Sequence, residues 1–163
     1  MEKGEKVIEV YADASFGNVE GTKTQLGFVV CLTDERGGRV PIMWKSKVAR
    51  RVVGSTLAAE TLSIVEGVEW AEYVKRLWEE IHGEDERLKI VVKTDCKSLQ
   101  EAINSVNGVK NRMLRIELAN VKEKLEEKVI DRVEWIKSDE QVADGLTIWR
   151  VSGAHLRAFL GNE

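Results

Sequence analysis

The chain has 163 residues, of which 43% are apolar and 33% charged, and these values predict one globular domain over residues 1–163 with a sizeable core. No apolar run is long enough to span a membrane, so a membrane association is not expected. The net charge of −3 excludes a general attraction to nucleic acid, so a bound polyanion would need a local basic patch or metal ions.

The first part of the chain carries three strand patterns. Alternating apolar residues predict a strand over residues 7–13, and the apolar run from Leu26 to Leu32 predicts a buried strand. The segment from Asp34 to Gly38 has the residues of a tight turn. Val40–Trp44 is then expected to return as the hairpin partner of the second strand.

From Ser55 onward the apolar residues recur at spacings of three and four, which is typical of a helix packed on one face. The predicted helix is about 25 residues long and ends near Gly83, a residue type that commonly terminates helices. Ser55 or Thr56 is the expected N-cap.

The rest of the chain carries both helix and strand patterns. The pattern predicts strands over 88–94 and 130–136, helices over 97–104 and 112–127, a short helix that begins at Ser138, and a C-terminal extension over 148–163 that forms a short helix. The order β-β-β-α-β-α-α-β-α predicts an α/β fold. Its mixed five-stranded sheet starts as a three-strand meander, continues with alternating helices and strands, and is flanked by helices.

Four acidic residues occupy positions from which their side chains can meet. Asp13 and Asp95 each lie at the end of a predicted strand, Glu60 lies near the start of the long helix, and Asp144 follows the last short helical pattern. Clustered carboxylates repel one another unless cations neutralise them, and oxygen ligands of this kind favour Mg²⁺ or Mn²⁺. The arrangement is therefore the one that two-metal phosphodiester chemistry needs.

Each of these features also has a simpler interpretation when it is taken alone. An aspartate at a strand end is usually a turn or cap residue, and a run of basic residues in a loop is usually just solvated. The few histidines leave almost nothing for a zinc site or a histidine triad. The tryptophans are expected to pack rather than to stack on bases: Trp70, Trp78, Trp135 and Trp149.

Four segments in order carry a more specific signal. They are Tyr11–Ser15; Trp44–Lys47 with Gly54–Glu60; Thr94–Ser98; and Glu134–Thr147. Together they resemble the ribonuclease H domain, and within that family the domain that ends the polymerase polyprotein of copia-type LTR retrotransposons. The resemblance covers residues 7 to 147 and implies the ribonuclease H-like form of the sheet described above.

The resemblance implies a role for each acidic residue. Asp13 is expected to bridge two Mg²⁺ ions, for which Mn²⁺ can substitute. Glu60 and Asp95 would complete the site of the metal beside the leaving 3′ oxygen, and Asp144 would hold the metal that activates the attacking water. The implied activity is endonucleolytic cleavage of the RNA strand of RNA/DNA hybrids, with 5′-phosphate and 3′-hydroxyl products.

The resemblance also implies where the hybrid is bound. Ser15, Thr56 and Cys96 lie beside the acidic residues and are expected to contact successive 2′-hydroxyls. Contacts to backbone phosphates are expected from a helix N-terminus and from the basic run before it, which together comprise Lys45, Lys47, Arg50, Arg51, Ser55 and Thr56.

One departure from cellular ribonucleases H lies between the last strand and the last aspartate. Those enzymes have a flexible loop with a histidine, whereas residues 136–144 leave no room for the loop and contain no histidine. The copia-type pattern also lacks the loop, so the departure fits that subfamily. An associated reverse transcriptase domain, a monomeric state and an intracellular location (cytoplasm, nucleus or virus-like particle) follow as expectations.

Two other functions remain open at this level. A catalytically weak or inactive domain of the same fold would act as a nucleic-acid-binding or scaffold module, although all four acidic residues are present. A 3′–5′ exonuclease would share the sheet and metals, but it would need a glutamate two residues after the first aspartate, where this chain has Ser15.

Overall fold

The computed structural model describes residues 6–17, 23–50, 53–105 and 110–147. In chain order the elements are β1 (Val7–Ser15), β2 (Gln25–Thr33), β3 (Arg39–Val48), α1 (Thr56–His82), β4 (Lys89–Thr94), α2 (Lys97–Asn104), α3 (Arg112–Glu126) and β5 (Ile130–Trp135), with 3-10 turns at Glu84–Glu86, Ser138–Glu140 and Val142–Leu146. The predicted helix over 148–163 lies outside the described residues.

The five strands form one sheet in the order β3-β2-β1-β4-β5. The pairs β1–β2 and β2–β3 are antiparallel, whereas β1–β4 and β4–β5 are parallel. The predicted mixed five-stranded α/β sheet is therefore confirmed. Because β1 and β4 are parallel neighbours, their carboxyl ends lie side by side at one edge of the sheet.

Both faces of the sheet are covered, which explains why Val7–Asp13 of β1 is buried without a break. On one face, side chains such as Val10 and Phe28 pack against α1, α2 and α3. On the other face, Tyr11 and Val29 pack against the 3-10 turn Val142–Leu146 near the end of the described chain. This second layer brings Asp144, the last of the four singled-out acidic residues, over the central strands.

Helix α1 lies very close to the sheet because its sequence has a glycine at the contact. A Cβ atom added to Gly67 would lie 2.7 Å from Val10 Cγ1 and 3.3 Å from Phe28 Cβ. The helix begins at the predicted place, where the Ser55 hydroxyl oxygen accepts a 3.1 Å hydrogen bond from the Ala58 amide. Cap and glycine together fix both the start of α1 and its distance from β1.

Two sequence predictions need correction. Strand β3 extends to Val48 rather than ending at Trp44, because an exposed edge strand continues through polar residues that interrupt the apolar pattern. The short helix predicted from Ser138 is instead two 3-10 turns, separated by Gln141 in an extended conformation.

Two of the tryptophans predicted to pack do so only in part. Trp70 and Trp135 keep 37% and 42% of their surface exposed, so each packs through only part of its ring. Among the described residues, no helix combines the length and apolarity that a membrane crossing requires.

The close approach of α1 gives a test of this packing. Gly67→Val would push side-chain atoms into Val10 and Phe28, so we expect the free energy of unfolding to fall by about 1–3 kcal/mol. Urea denaturation followed by circular dichroism measures it. Gly54→Ala is the control, because a Cβ there would meet only the Asn111 side chain, at 3.6 Å. Equal denaturation midpoints for Gly67→Val and the parent would contradict the close contact.

Candidate active site

The four acidic side chains that the sequence singles out come together at the carboxyl edge of β1 and β4. One carboxylate oxygen from each of Asp13, Glu60 and Asp95 lies within 4.8 Å of the others. Asp144, in the turn Val142–Leu146, is not part of that three-residue group but lies near it, and it helps to raise the pKa of the Asp13 carboxyl. Two strand ends, one helix and one 3-10 turn therefore contribute to a single acidic cluster.

Burial and mutual repulsion make Asp13, Glu60 and Asp95 hard to ionise. Burial, together with the nearby Asp95 and Asp144, raises the pKa of Asp13 to about 7, although a hydrogen bond from Thr147 opposes the shift. Burial, followed by the charges of Asp13 and Asp95, raises the pKa of Glu60 to about 9. Burial also raises the pKa of Asp95. The cluster thus favours protons or metal ions over bare carboxylates.

Strand β1 carries a second buried acidic residue, Glu9, whose carboxylate is paired with basic side chains. Glu9 precedes Asp13 by four residues, and each is 5% exposed. Glu9 accepts hydrogen bonds from Tyr11 Oη at 2.9 Å and Arg39 Nε at 2.7 Å, and Lys93 Nζ lies 4.0 Å away. Among the described residues, no lysine or arginine forms an ion pair with Asp13. Within the described ranges, basic side chains therefore neutralise Glu9 and leave Asp13 without such a partner.

The donor set fits a hard divalent cation. All the candidate ligands are carboxylate oxygens, which Mg²⁺ and Mn²⁺ favour. Glu60 Oε2 is buried and has no hydrogen-bond partner among the described residues, a costly state unless something else satisfies that atom. The chemistry of the cluster therefore fits divalent metal ions at this edge.

Several neighbouring groups hold the acidic residues in place. The Thr147 hydroxyl donates to Asp13 Oδ2, and the Ser63 hydroxyl donates to the Asp13 carbonyl at 2.7 Å. The Trp135 indole N–H donates to the Asp95 carbonyl at 3.1 Å. These contacts orient both strand ends from three separate elements.

The last turn can approach the sheet because Gly27 faces it. A Cβ atom at Gly27 would lie 2.9 Å from Leu146 Cβ and from Thr147 Cγ2. The Ser46 hydroxyl, on β3, donates to the Leu146 carbonyl at 2.5 Å. This contact region anchors Asp144 and Thr147 above β2.

The small residues predicted to contact the hybrid lie close to the clustered acidic residues along the chain. Ser15 ends β1 and is half-buried, while Cys96 lies between β4 and α2 and has a thiol pKa that burial raises. Ser55 caps α1, and Thr56 is the first residue of that helix and is exposed. Ser15 and Cys96 therefore lie within two residues of Asp13 and Asp95. Ser55 and Thr56 lie about one helical turn before Glu60.

The predicted basic run is less available than the sequence suggests. Lys47 forms an ion pair with Glu66 of α1, and Lys45 Nζ lies 5.7 Å from the centre of the Trp70 ring. Both lysines would have to leave these partners to contact a phosphate. Arg50 is exposed, and Arg51 lies outside the described residues.

Sequence reasoning assigned no role to several residues that support the site. Gln141 and Thr147 belong to the recognised segment Glu134–Thr147, so the motif marks both residues. It does not indicate what either one does. Ser63 is fully buried in the apolar stripe of α1, and a polar residue at such a position is a usable signal. The contact of Trp135 with Asp95 depends on the spatial neighbourhood of β4 and β5 and has no local signal.

No protein-family model and no curated protein matches the sequence. Solved structures do match. LC11-RNase H1, isolated from compost, is 20% identical with a TM-score of 0.59, covering 90% of this chain and 93% of that one. The same protein in complex with RNA/DNA hybrid is 18% identical with a TM-score of 0.58, covering 85% and 92%.

Two further similarities come from other sources. RNase H1 from the halophilic archaeon Halobacterium salinarum is 17% identical with a TM-score of 0.57, covering 85% of this chain and 92% of that chain. The foamy viral protease–reverse transcriptase in complex with dsDNA is 14% identical with a TM-score of 0.51, covering 88% and 92%. At these identities the likeness defines the fold, and the chain is an α/β protein with the ribonuclease H-like fold.

The pKa shifts predict how stability depends on pH when divalent ions are absent. The folded state binds the protons of Asp13 and Glu60 more tightly than the unfolded chain does, because their pKa values are raised to about 7 and about 9. Their contribution to stability is therefore complete below about pH 4 and is lost as the pH rises through about 7 to 9. We expect the melting temperature in EDTA to fall over this range.

Glu60→Gln is the matched variant for this measurement. Glutamine stays neutral, so the melting temperature of the variant should fall much less with rising pH. Added Mg²⁺ should raise the melting temperature of the parent more than that of the variant at alkaline pH. Parallel pH curves for the two proteins would rule out the proposed protonation of the cluster.

Proposed function

We propose that the protein is a divalent-metal-dependent endoribonuclease that cleaves the RNA strand of RNA/DNA hybrids. The observation that carries the proposal is the cluster of Asp13, Glu60 and Asp95 at the carboxyl ends of β1 and β4 in a ribonuclease H-like sheet, with Asp144 nearby. The complex of LC11-RNase H1 with RNA/DNA hybrid supports this choice of substrate. Intact acidic residues favour an active enzyme over a scaffold module.

In the proposed mechanism, Asp13, Glu60 and Asp95 would hold one metal ion, and Asp13 with Asp144 would hold a second. When bound, Mg²⁺ or Mn²⁺ supplies Lewis-acid stabilisation of the charge that develops on the scissile phosphate. The chain's own contribution is orientation. Thr147 and Ser63 hold Asp13, and Trp135 holds the backbone of Asp95, so the carboxylates need little rearrangement during reaction.

Selectivity for RNA is proposed to come from the small polar groups beside the cluster. Ser15, Thr56 and Cys96 would contact 2′-hydroxyls, which DNA lacks. The N-terminus of α1, capped by Ser55, would bind a backbone phosphate. Lys45 and Lys47 would add phosphate contacts only after releasing their present partners on α1, while Arg50 and Arg51 would contact the backbone directly.

The motifs that resemble copia-type elements support a retroelement origin and an associated reverse transcriptase domain. We propose a monomeric catalytic domain that leaves 5′-phosphate and 3′-hydroxyl ends and works inside the cell. Its C-terminal extension over 148–163 would pack as a short helix. Cleavage would proceed without the histidine loop of cellular enzymes, because residues 136–144 have no histidine.

A substrate panel tests the proposed activity. With Mg²⁺ or Mn²⁺ we expect cleavage within the RNA strand of a labelled hybrid, poor cleavage of single-stranded RNA and intact DNA. EDTA should abolish the activity, because the clustered carboxylates lack cations of their own. Equal cleavage of duplex DNA would assign a different nuclease class, and undiminished activity in EDTA would exclude a metal-dependent mechanism.

Asp95→Asn separates catalysis from binding. The change keeps the size of the side chain but removes one charge from the cluster, so we expect cleavage of the hybrid to fall by at least ~10²-fold. Hybrid binding, measured by gel shift, and the melting temperature should both be retained.

Asp139→Asn is the control for Asp95→Asn, because Asp139 is exposed in the adjacent turn Ser138–Glu140. Asp13→Asn should be more severe than Asp95→Asn, since Asp13 would contact both ions. A folded Asp95→Asn variant that cleaves within a factor of two of Asp139→Asn would refute the catalytic role.

A further inference from the structure

One buried glutamine contacts the segments that carry three of the four acidic residues. Gln141 is 2% exposed and lies between the two 3-10 turns. Its Nε2 donates to the carbonyl oxygen of Ala12 at 2.9 Å, and its Oε1 accepts from the Ala143 amide at 3.3 Å. Gln141 also opposes the rise in the pKa of the Asp95 carboxyl that burial causes, so its amide lies near that group.

The groups near the Gln141 side chain all belong to, or directly precede, one of the acidic residues. Ala12 precedes Asp13 in β1, Ala143 precedes Asp144 in the last turn, and Asp95 follows β4. The amide also fits its partners chemically. One hydrogen of Nε2 is used by Ala12, the other can face Asp95, and the single acceptor is used by Ala143. Only a glutamine orientation with Nε2 toward β1 satisfies all three.

We propose that Gln141 is a positioning residue that sets the separation of Asp13, Asp95 and Asp144 for binding divalent metal ions. Its catalytic consequence rests on the proposed function, whereas its effect on metal affinity can be measured without any substrate. A glutamine that only filled space would not need a donor matched to the β1 carbonyl beside Asp13 and an acceptor matched to the amide beside Asp144. Misplacing carboxylates by a fraction of an ångström weakens a metal site, because Mg²⁺ demands near-ideal octahedral geometry.

Two substitutions test the proposal, and a third serves as a control. Gln141→Leu keeps the volume and removes every hydrogen bond, whereas Gln141→Asn keeps the amide but shortens its reach and is the milder change. The control is Thr33→Val at the end of β2, where Thr33 contacts Val7 at the far end of β1 from the acidic residues. The Thr33 hydroxyl is buried, accepts from the Val7 amide at 2.9 Å and donates to the Val7 carbonyl at 3.1 Å.

The primary readout is Mn²⁺ affinity, measured by isothermal titration calorimetry on the folded proteins. We expect both Gln141 variants to bind Mn²⁺ about 10- to 100-fold more weakly than the parent, as is typical when a residue that orients metal ligands is lost. Thr33→Val should lower the melting temperature but keep the parental affinity. If Gln141→Leu does not fold, the Gln141→Asn result decides.

Kinetics on the RNA/DNA hybrid give the second readout. The Gln141 variants should lose kcat with KM near that of the parent, because hybrid contacts are not made by Gln141. A Gln141 variant with the Mn²⁺ affinity and kcat of Thr33→Val would overturn the positioning role and leave the proposed function intact. A parent that binds Mn²⁺ in a Gln141-dependent way but cuts no hybrid would overturn the proposed function alone. A parent that binds no divalent ion would overturn both.

Discussion

Carboxylates that lie within 4.8 Å of one another repel strongly when protein surrounds them, and Asp13 faces two such neighbours in Glu60 and Asp95. At an effective dielectric constant of about 20, each ionised pair at this distance costs roughly 3 kcal/mol. A hydrogen bond to a charged group, such as the one from Thr147, returns about 1.5–3 kcal/mol. The hydroxyl alone therefore does not offset the repulsion, and protons or metal ions must supply the rest.

The remainder of the fold makes this unfavourable arrangement possible. Parallel pairing of β1 with β4 brings two strand ends together, and the glycine contact at Gly67 lets α1 approach the sheet closely enough for Glu60 to join them. The sheet core stabilises these backbones independently of the acids, since its apolar clusters do not include them. A stable core can therefore tolerate the repulsion among the acidic residues at the carboxyl ends of β1 and β4. Such local destabilisation is common at functional sites. Arg39 and Lys93, which neutralise Glu9, show that the fold can supply cations where no ligand is needed.

How much of this could be predicted from sequence depended on whether the signal was local. The strands that place Asp13 and Asp95, and the cap at Ser55, follow from alternation and capping chemistry within a few residues, although β1 continues two residues past Asp13. The length of β3 was not predictable, because an edge strand exposes polar residues that break the apolar alternation. The pairing of Lys47 with Glu66 and the contacts of Gln141 depend on distances across the fold, and no pattern within either segment encodes them. The last turn has a recognisable motif, yet its tight 3-10 form follows from packing against Gly27.

The hydrogen bond between Thr147 and Asp13 joins residues 134 positions apart in the chain. Closing so long a loop costs conformational entropy, and the contact forms only after the intervening sheet has provided a surface on which to dock. During synthesis, β1, β2, β3 and α1 leave the ribosome before the segment that carries Asp144 and Thr147. A nascent chain can therefore build most of its core while its acidic cluster is still incomplete. We therefore expect the site to be completed late in folding, after the sheet has formed.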